Sequence, residues 1–294
     1  MKIDGIKIAH SLLRYQKKIL RKIKGKSTLA VILVGESPEQ LSYVKIKQKT
    51  AKKLGVNFIF YHYKKSPSFE NFLKKIKKIS SDPQINGLVI QQPLPSQLDT
   101  LSIYDYIDKE KEIEGFYEKS LFLPPIGQAV LTVIKSVYLK TLKGEKLIID
   151  SKKDQNFFKR ALKNKKIVLV GVGKTGGSPI GKTLNFFKIN YLAVNSKTVD
   201  KEKYLQKADI IISAVGKKVI TPESLKQGVF LINIGLRKEN GRFKGDYEEK
   251  EIKKIASFYT LTPGGVGPID VAYLYKNLLD AYQLQKNRRN NKNK

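Results

Sequence analysis

Residues 166–183 read KIVLVGVGKTGGSPIGKT, and this stretch decides the fold. The run ending at Val170 is short, apolar and closed by glycine, as expected of a strand buried in a parallel sheet. Gly171, Gly173 and Gly176 follow as G-x-G-x-x-G, ahead of a helix expected from Pro179 to Lys188. Strand, glycine turn and helix in that order make a dinucleotide-binding loop, because pyrophosphate can reach backbone N–H groups at the positive helix end. Gly171, Gly173, Lys174, Thr175, Gly176 and Gly177 are therefore candidate cofactor contacts. A glycine turn with no ligand is the plainer reading of the same letters.

A phosphate-loop pattern, GGSPIGKT over 176–183, overlaps this motif and is rejected. It starts too far beyond Val170, and Pro179 suits a first helical turn, which puts Gly181 and Lys182 inside the helix. Neither DIIIS (209–213) nor FLINIG (230–235) ends in the aspartate that a magnesium site would need. The next strand, Tyr191–Asn195, runs into Ser196, Lys197 and Thr198. An NAD site places an acid at that point. Ser196 and Lys197 would attract a 2′-phosphate, so the sequence leans to NADP, with NAD as the alternative.

Working outward, Asp209–Val215 and Val229–Gly235 read as further strands, and a last helix is expected from Val271 to about Gln285, N-capped by Asp270. The first half alternates in the same way. Helical spacing over Ile6–Ile23 precedes a strand at Thr28–Val34, a helix at Pro38–Leu54 and a strand at Val56–Tyr63. A helix at Ser68–Ser80, capped by Ser68, then leads to a strand at Gly87–Gln91. Such alternation predicts an α/β protein of two domains with parallel sheets, joined near Glu114–Gly127.

At 294 residues, 41% apolar and 28% charged, the chain is globular and large enough for two cores. No apolar run could span a membrane, and the N-terminus lacks the apolar block of a signal peptide, so a cytoplasmic protein is expected. Cysteine is absent, which excludes disulfides and thiolate chemistry. The net charge of +31 invites a nucleic-acid reading, yet only seven of the 57 Lys+Arg residues are arginine, and the lysines are spread through every helix. Base and phosphate recognition favours arginine forks, so the lysines are read as solvated surface. A minor role in attracting a polyanionic small molecule stays open. The end, NRRNNKNK, is expected to be a disordered basic tail.

Tyr43 and Lys47 are four residues apart on one helix, so they share a face. The ring can stack on a flat ligand, and the amine can carry a proton. Gln91 stands at the carboxyl end of the third strand, where open α/β sheets bind ligands. As a neutral partner it could position Lys47. In a lysine-rich chain the same pair also reads as ordinary surface. TPGGVGPIDVA, over 262–272, has too much glycine and proline for helix or central strand; such a loop can bring backbone N–H groups to a flat or anionic ligand. His10 and His62 read as structural, and no metal site is apparent.

Together IDGIKIA, YVKIKQKTA, GLVIQQPLP, EIEGF, GVGKTGGSP, SKT, ADIIISAVGK, Gly245-Asp246 and TPGGVGP resemble the bifunctional methylenetetrahydrofolate dehydrogenase/cyclohydrolase family along nearly the whole chain. The resemblance implies a folate-binding catalytic domain at 1–120 plus a C-terminal helix at 270–287 packing back on it. It implies a Rossmann NADP domain at 121–269, leaving a basic tail at 288–294. It also implies that Tyr43 stacks on folate, that Lys47 and Gln91 serve the chemistry, and that Glu114 binds the pterin. Gly264, Gly265 and Pro268 would contact the substrate, a tetrahydrofolate with or without a polyglutamate tail, and Ser196 and Lys197 the cofactor. A homodimer in one-carbon metabolism and purine biosynthesis is implied, with no nucleic-acid or membrane partner. This sequence departs from the family pattern in having Gln92 for leucine and Glu114 for aspartate. It also has Leu123-Pro124-Pro125 for Cys-Thr-Pro, Val172-Gly173 for Arg-Ser, and Asp270 for threonine. Two alternatives follow: a related enzyme that has lost one of the two activities, or a basic nucleic-acid-binding protein on the same scaffold.

Overall fold

The structure is a computed structural model that describes residues 1–23 and 25–292. The chain divides into two compact units, one of Tyr15–Pro125 with the chain from Val271, the other of Met1–Arg14 with Ile126–Asp270. The first 14 residues therefore group with the glycine-loop unit, where the sequence placed them in the catalytic domain. The reason is a strand pairing, described below.

The chain opens with β1 (Lys2–Ile3) and α1 (Gly5–Leu20), followed by β2 (Thr28–Val34), α2 (Pro38–Leu54), β3 (Asn57–Tyr63), α3 (Phe69–Ser81) and β4 (Gly87–Ile90). The last three strands form a parallel sheet in the order β3-β2-β4. Every residue of β2 is buried, as its unbroken apolar sequence requires of a central parallel strand. Ile32, Phe72, Ile76, Leu88 and Ile103 make its core. Helix limits follow the capping chemistry. Ser37 accepts from Gln40 N with Pro38 at the first position, and Gly55 closes α2 in the left-handed region at φ 76°. Ser68 caps α3 as expected, accepting from Asn71 N.

The second series runs α4 (Pro125–Tyr138), α5 (Gly144–Leu147), α6 (Asp154–Ala161), β5 (Ile167–Val170), α7 (Gly177–Phe186), β6 (Leu192–Val194), α8 (Lys201–Leu205) and β7 (Ile210–Ser213). It continues through β8 (Phe230–Asn233), β9 (Arg237–Glu239), β10 (Arg242–Lys244), α9 (Glu249–Ile252) and β11 (Phe258–Thr260) to α10 (Val266–Lys292). A parallel six-stranded sheet has the order β1-β11-β8-β7-β5-β6. β1 pairs with β11, Lys2 opposite Tyr259 and Ile3 opposite Thr260, which carries the N-terminus into this unit. The crevice between β5 and β7 is the topological switch point. β9 and β10 form a separate hairpin on a two-residue Asn240-Gly241 turn, both residues at positive φ.

Two expectations about the C-terminus are corrected. α10 starts at Val266, so Asp270 lies inside the helix and is not its N-cap, and the second half of TPGGVGP is helical. Pro268 is tolerated there because first-turn N–H groups have no intrahelical acceptor. The expected tail is helix as far as Lys292, with Arg288 pairing Glu110 at 2.9 Å and Arg289 donating to Pro83 O; Asn293 and Lys294 lie outside the described residues. From Val271 onward α10 belongs with Tyr15–Pro125, in line with a last helix packing back on the first domain.

Candidate active site

The first cluster belongs to the unit of Tyr15–Pro125. Lys47 stands on the buried face of α2 with Val44, Thr50, Ala51 and Leu54 and is 6% exposed. Its Nζ donates to Gln91 Oε1 at 2.8 Å. Gln91 N donates to Ile32 O at 2.8 Å, extending the ladder past β4 and fixing the glutamine at the sheet's carboxyl edge. Gln91 Nε2 donates to Gln92 O at 2.9 Å, so the amide is held with its oxygen toward the lysine. The ammonium thus meets a neutral acceptor, as the sequence proposed. Tyr43 lies one turn earlier on α2 and is half-buried. Opposite, Tyr275 of α10 donates its hydroxyl to the main-chain carbonyl of Lys47 at 2.6 Å.

A second group surrounds Glu114. Its backbone N–H donates to Glu112 Oε1 at 3.0 Å, as does that of Phe116 at 3.3 Å. Glu112 is buried, and burial raises its affinity for a proton; the Ser120 hydroxyl and nearby backbone N–H groups oppose that rise. Gly115 between them has φ 75°, and a methyl group there would press on Pro124. Gln92 is wired into the same region, its Nε2 donating to the Tyr104 hydroxyl at 2.9 Å and its Oε1 accepting from Leu94 N at 3.1 Å. Burial pushes the Tyr104 hydroxyl well above the ordinary phenol range, and the negative charge of Glu114 adds to the effect. Glu112, Tyr104 and Tyr275 escaped the sequence reading. Only the E-x-E spacing around Ile113 could have marked Glu112.

The cofactor candidates lie in the other unit. Gly171 has φ 92°, and an added methyl would stand 2.7 Å from Ala214 O, so the loop needs glycine here. At Gly177 a methyl would overlap Gly171 O, whereas at Gly173 it would meet nothing within 4 Å. Gly176 precedes α7, in whose first turn Ser178 N already donates to Gly173 O at 3.0 Å and Pro179 has no N–H, so the expected anion cradle is narrower than the motif suggests. Lys174 and Thr175 are exposed on this loop, and Gly181 and Lys182 lie within α7, as argued against the phosphate-loop reading. After β6 the turn is closed by its own side chains: Asn195 Oδ1 accepts from Lys197 N at 2.8 Å, and Thr198 Oγ1 from Asn195 N at 3.0 Å. Ser196 and Lys197 are left facing solvent. A glycine loop, a helix N-terminus and a turn without an acid fit a phosphorylated dinucleotide.

Gly264 and Gly265 belong to this same unit, in the turn that enters α10, and Pro268 sits in the helix's first turn. Gly264 has φ 97°, and a methyl on Gly265 would overlap Leu261 O. Thr262 Oγ1 accepts from Asn233 Nδ2 at 2.8 Å, tying the turn to the end of β8. Among the described residues no group of acids and histidines could hold a metal ion, and no helix is long and apolar enough to cross a membrane.

The profile of the tetrahydrofolate dehydrogenase/cyclohydrolase catalytic domain matches residues 3–114, and that of the NAD(P)-binding domain of the same family matches residues 155–286. The bifunctional protein FolD of Staphylococcus carnosus is 32% identical over 290 residues, covering 97% of each chain. That of Geobacillus thermodenitrificans is 33% identical over 86% of each chain. Among solved structures, the bifunctional FolD methylenetetrahydrofolate dehydrogenase/cyclohydrolase of Campylobacter jejuni superposes with a TM-score of 0.83 at 26% identity, covering 98% of this chain and 99% of the other.

Proposed function

The chain belongs to the tetrahydrofolate dehydrogenase/cyclohydrolase family, and from that premise we propose that it catalyses two successive reactions on one folate. The first oxidises 5,10-methylenetetrahydrofolate to the methenyl cation with NADP. The second hydrolyses that cation to 10-formyltetrahydrofolate. The observation that carries the reading is the buried Lys47–Gln91 bond at the carboxyl edge of β4.

NADP, when bound, supplies the hydride acceptor. The chain's part in that step is to orient the reactants: the Tyr43 ring stacks on the folate, and the Glu114 carboxylate accepts from the pterin's adjacent N–H groups. Gly264 and Gly265 offer backbone N–H groups to the substrate, with Pro268 stiffening the exit into α10. Gly171, Gly173, Lys174, Thr175, Gly176 and Gly177 hold the pyrophosphate, while Ser196 and Lys197 face the 2′-phosphate. In hydrolysis, water adds to the methenyl carbon, its oxygen gives up two protons, one released to solvent and one passed on to N5, and the bond from that carbon to N5 breaks as the formyl C=O forms. Lys47 Nζ relays the proton to N5, with Gln91 fixing the amine's direction. The enzyme is assigned to the cytoplasm as a homodimer.

An absorbance assay with methylenetetrahydrofolate and each cofactor, following reduced cofactor and methenyl product together, tests both steps. Turnover with NADP and decay of the methenyl band are expected. Accumulation of methenyl product without decay would show that only the dehydrogenase survives the changes at Gln92 and Glu114. Steeply salt-dependent binding of unrelated DNA with no turnover would favour the nucleic-acid alternative.

A further inference from the structure

Asp246 is fully buried, and its hydrogen bonds reach three separate segments of the glycine-loop unit. Its carboxylate accepts from the Ser213 hydroxyl at 2.5 Å, from Val215 N at 2.9 Å and from Gly216 N at 2.8 Å. Its carbonyl accepts from Val219 N at 3.0 Å and Ile220 N at 3.1 Å. Its own N–H donates to Asn233 Oδ1 at 2.9 Å. The loop after β7 is therefore wrapped around one acidic residue. All three donors to the carboxyl group are neutral.

One end of this network supports the dinucleotide loop, and the other enters the turn proposed to contact the substrate. Ala214 and Val215 are the surface on which the dinucleotide loop rests, since a methyl on Gly171 would press on Ala214 and on the Val215 side chain, and one on Gly176 would touch Ala214 Cβ. At the other end Asn233, which accepts from Asp246 N, donates through Nδ2 to Thr262 Oγ1 at 2.8 Å and to Gly235 O at 2.7 Å. Packing leaves no slack between them. A methyl on Gly235 would overlap the Asp246 carboxylate, and one on Gly245 would overlap the Asn233 amide and approach the Thr262 hydroxyl.

We propose that Asp246 is a positioning residue that sets loop 214–220, on which the dinucleotide loop rests, and, through Asn233, the Thr262–Gly265 turn as one unit, so that neither loop can shift without the other. The ligands named for these loops rest on the function proposed above; the mechanical link does not. Asp246→Asn is the sharp probe because it keeps the shape. Two of the carboxylate's donors are backbone N–H groups, one on each oxygen, and an amide NH₂ must face one of them. Ser213→Ala is a milder second variant that removes a donor and leaves the carboxylate.

Hydrogen–deuterium exchange on the intact, ligand-free protein reads the link without any assumption about activity. Asp246→Asn should raise exchange at least tenfold in both 214–220 and 261–266 while β5, β7 and β8 stay protected. Ser213→Ala should raise it in the same two segments by a smaller factor. Calorimetry with NADP should show affinity at least tenfold weaker in Asp246→Asn. Loosening of 214–220 alone, with 261–266 unchanged in both variants, would overturn the proposal. So would unchanged exchange, or global loss of protection in Asp246→Asn with Ser213→Ala silent in both loops. Failure of the wild type to bind NADP would instead count against the proposed function, leaving the exchange result to decide the link.

Discussion

At Lys47 a buried amine meets an amide and not a carboxylate, and that pairing carries a direct test. Lys47→Met removes the amine and keeps most of the apolar stem. Hydrolysis of the methenyl cation should fall at least about a hundredfold, the range set by loss of positioned proton transfer, while NADP binding stays near wild type. Wild-type decay of the methenyl absorbance would reject the assignment. On the cofactor side, Lys197 contributes one exposed charge, so Lys197→Ala should weaken NADP by about 1 kcal/mol, roughly fivefold in the Michaelis constant, and leave that for NAD unchanged. An equal effect on both cofactors would show that Lys197 faces something other than the 2′-phosphate. Glu112 gives a prediction of a different kind. Its carboxyl is pushed up by burial, so the folded protein holds a proton that the unfolded chain releases. The resulting loss of stability begins above the ordinary carboxylate range and is complete once the pH passes the raised folded value. Glu112→Gln retains an oxygen for Glu114 N and Phe116 N, and its melting temperature should lack that decline; an unchanged pH profile would place the cause elsewhere. Lys47 and Gln91 were legible in the sequence because helical spacing and a strand end are local facts. Glu112 was not, because in DKEKEIE an acid that turns inward is written like its solvated neighbours.

Among the elements, α10 illustrates both what was readable and what was not. Its Tyr275 hydroxyl reaches the carbonyl of Lys47, and its Asn277 donates to Ile113 O at 2.8 Å and Leu123 O at 2.9 Å on either side of Glu114. One helix therefore braces the backbone behind both proposed substrate-binding groups. Tyr275→Phe deletes the first brace without changing shape and should cost about 0.5–1.5 kcal/mol of stability, measured by denaturant unfolding, with hydrolysis slowed more than hydride transfer. An equal loss in both reactions would mean that the brace acts on the unit at large. Strands β2 to β8 were read to within a residue or two, β2, β4, β5, β7 and β8 being short apolar runs ended by glycine or polar residues, whereas β1 and β11 were not foreseen. α4 was missed although Gln128, Thr132, Lys135 and Ser136 recur at helical spacing among its apolar residues; all four turn inward and are buried with Ala129, Val130, Leu131, Val133 and Ile134. The start of α10 was misread because Gly267 and Pro268 are poor helix formers everywhere except in a first turn. The β9–β10 hairpin had its signal in Asn240-Gly241, but its strands are too polar to stand out.

Over the molecule as a whole, 57 basic side chains face 26 acidic ones, and the excess positive charge must repel itself. Raising ionic strength from about 0.01 M to about 0.15 M shortens the screening length from about 30 Å to about 8 Å, so the melting temperature should rise over that interval. A steady fall would show that the surface ion pairs outweigh the repulsion. Two-unit α/β architecture was legible from the alternation of elements; the true course of the chain through the units was not, since β1 is only two residues long and finds its partner near residue 259. That pairing has a consequence for biosynthesis. At translation rates of about 5–20 residues per second, Lys2 leaves the ribosome roughly 10 to 50 seconds before the strand it joins has been made. The other unit waits as well, because it needs the segment from Val271 that is synthesised last. Nascent chains of this protein therefore carry two unfinished cores for most of their elongation, and a gene cut at Pro125 should yield two halves that each lack a piece of their own interior.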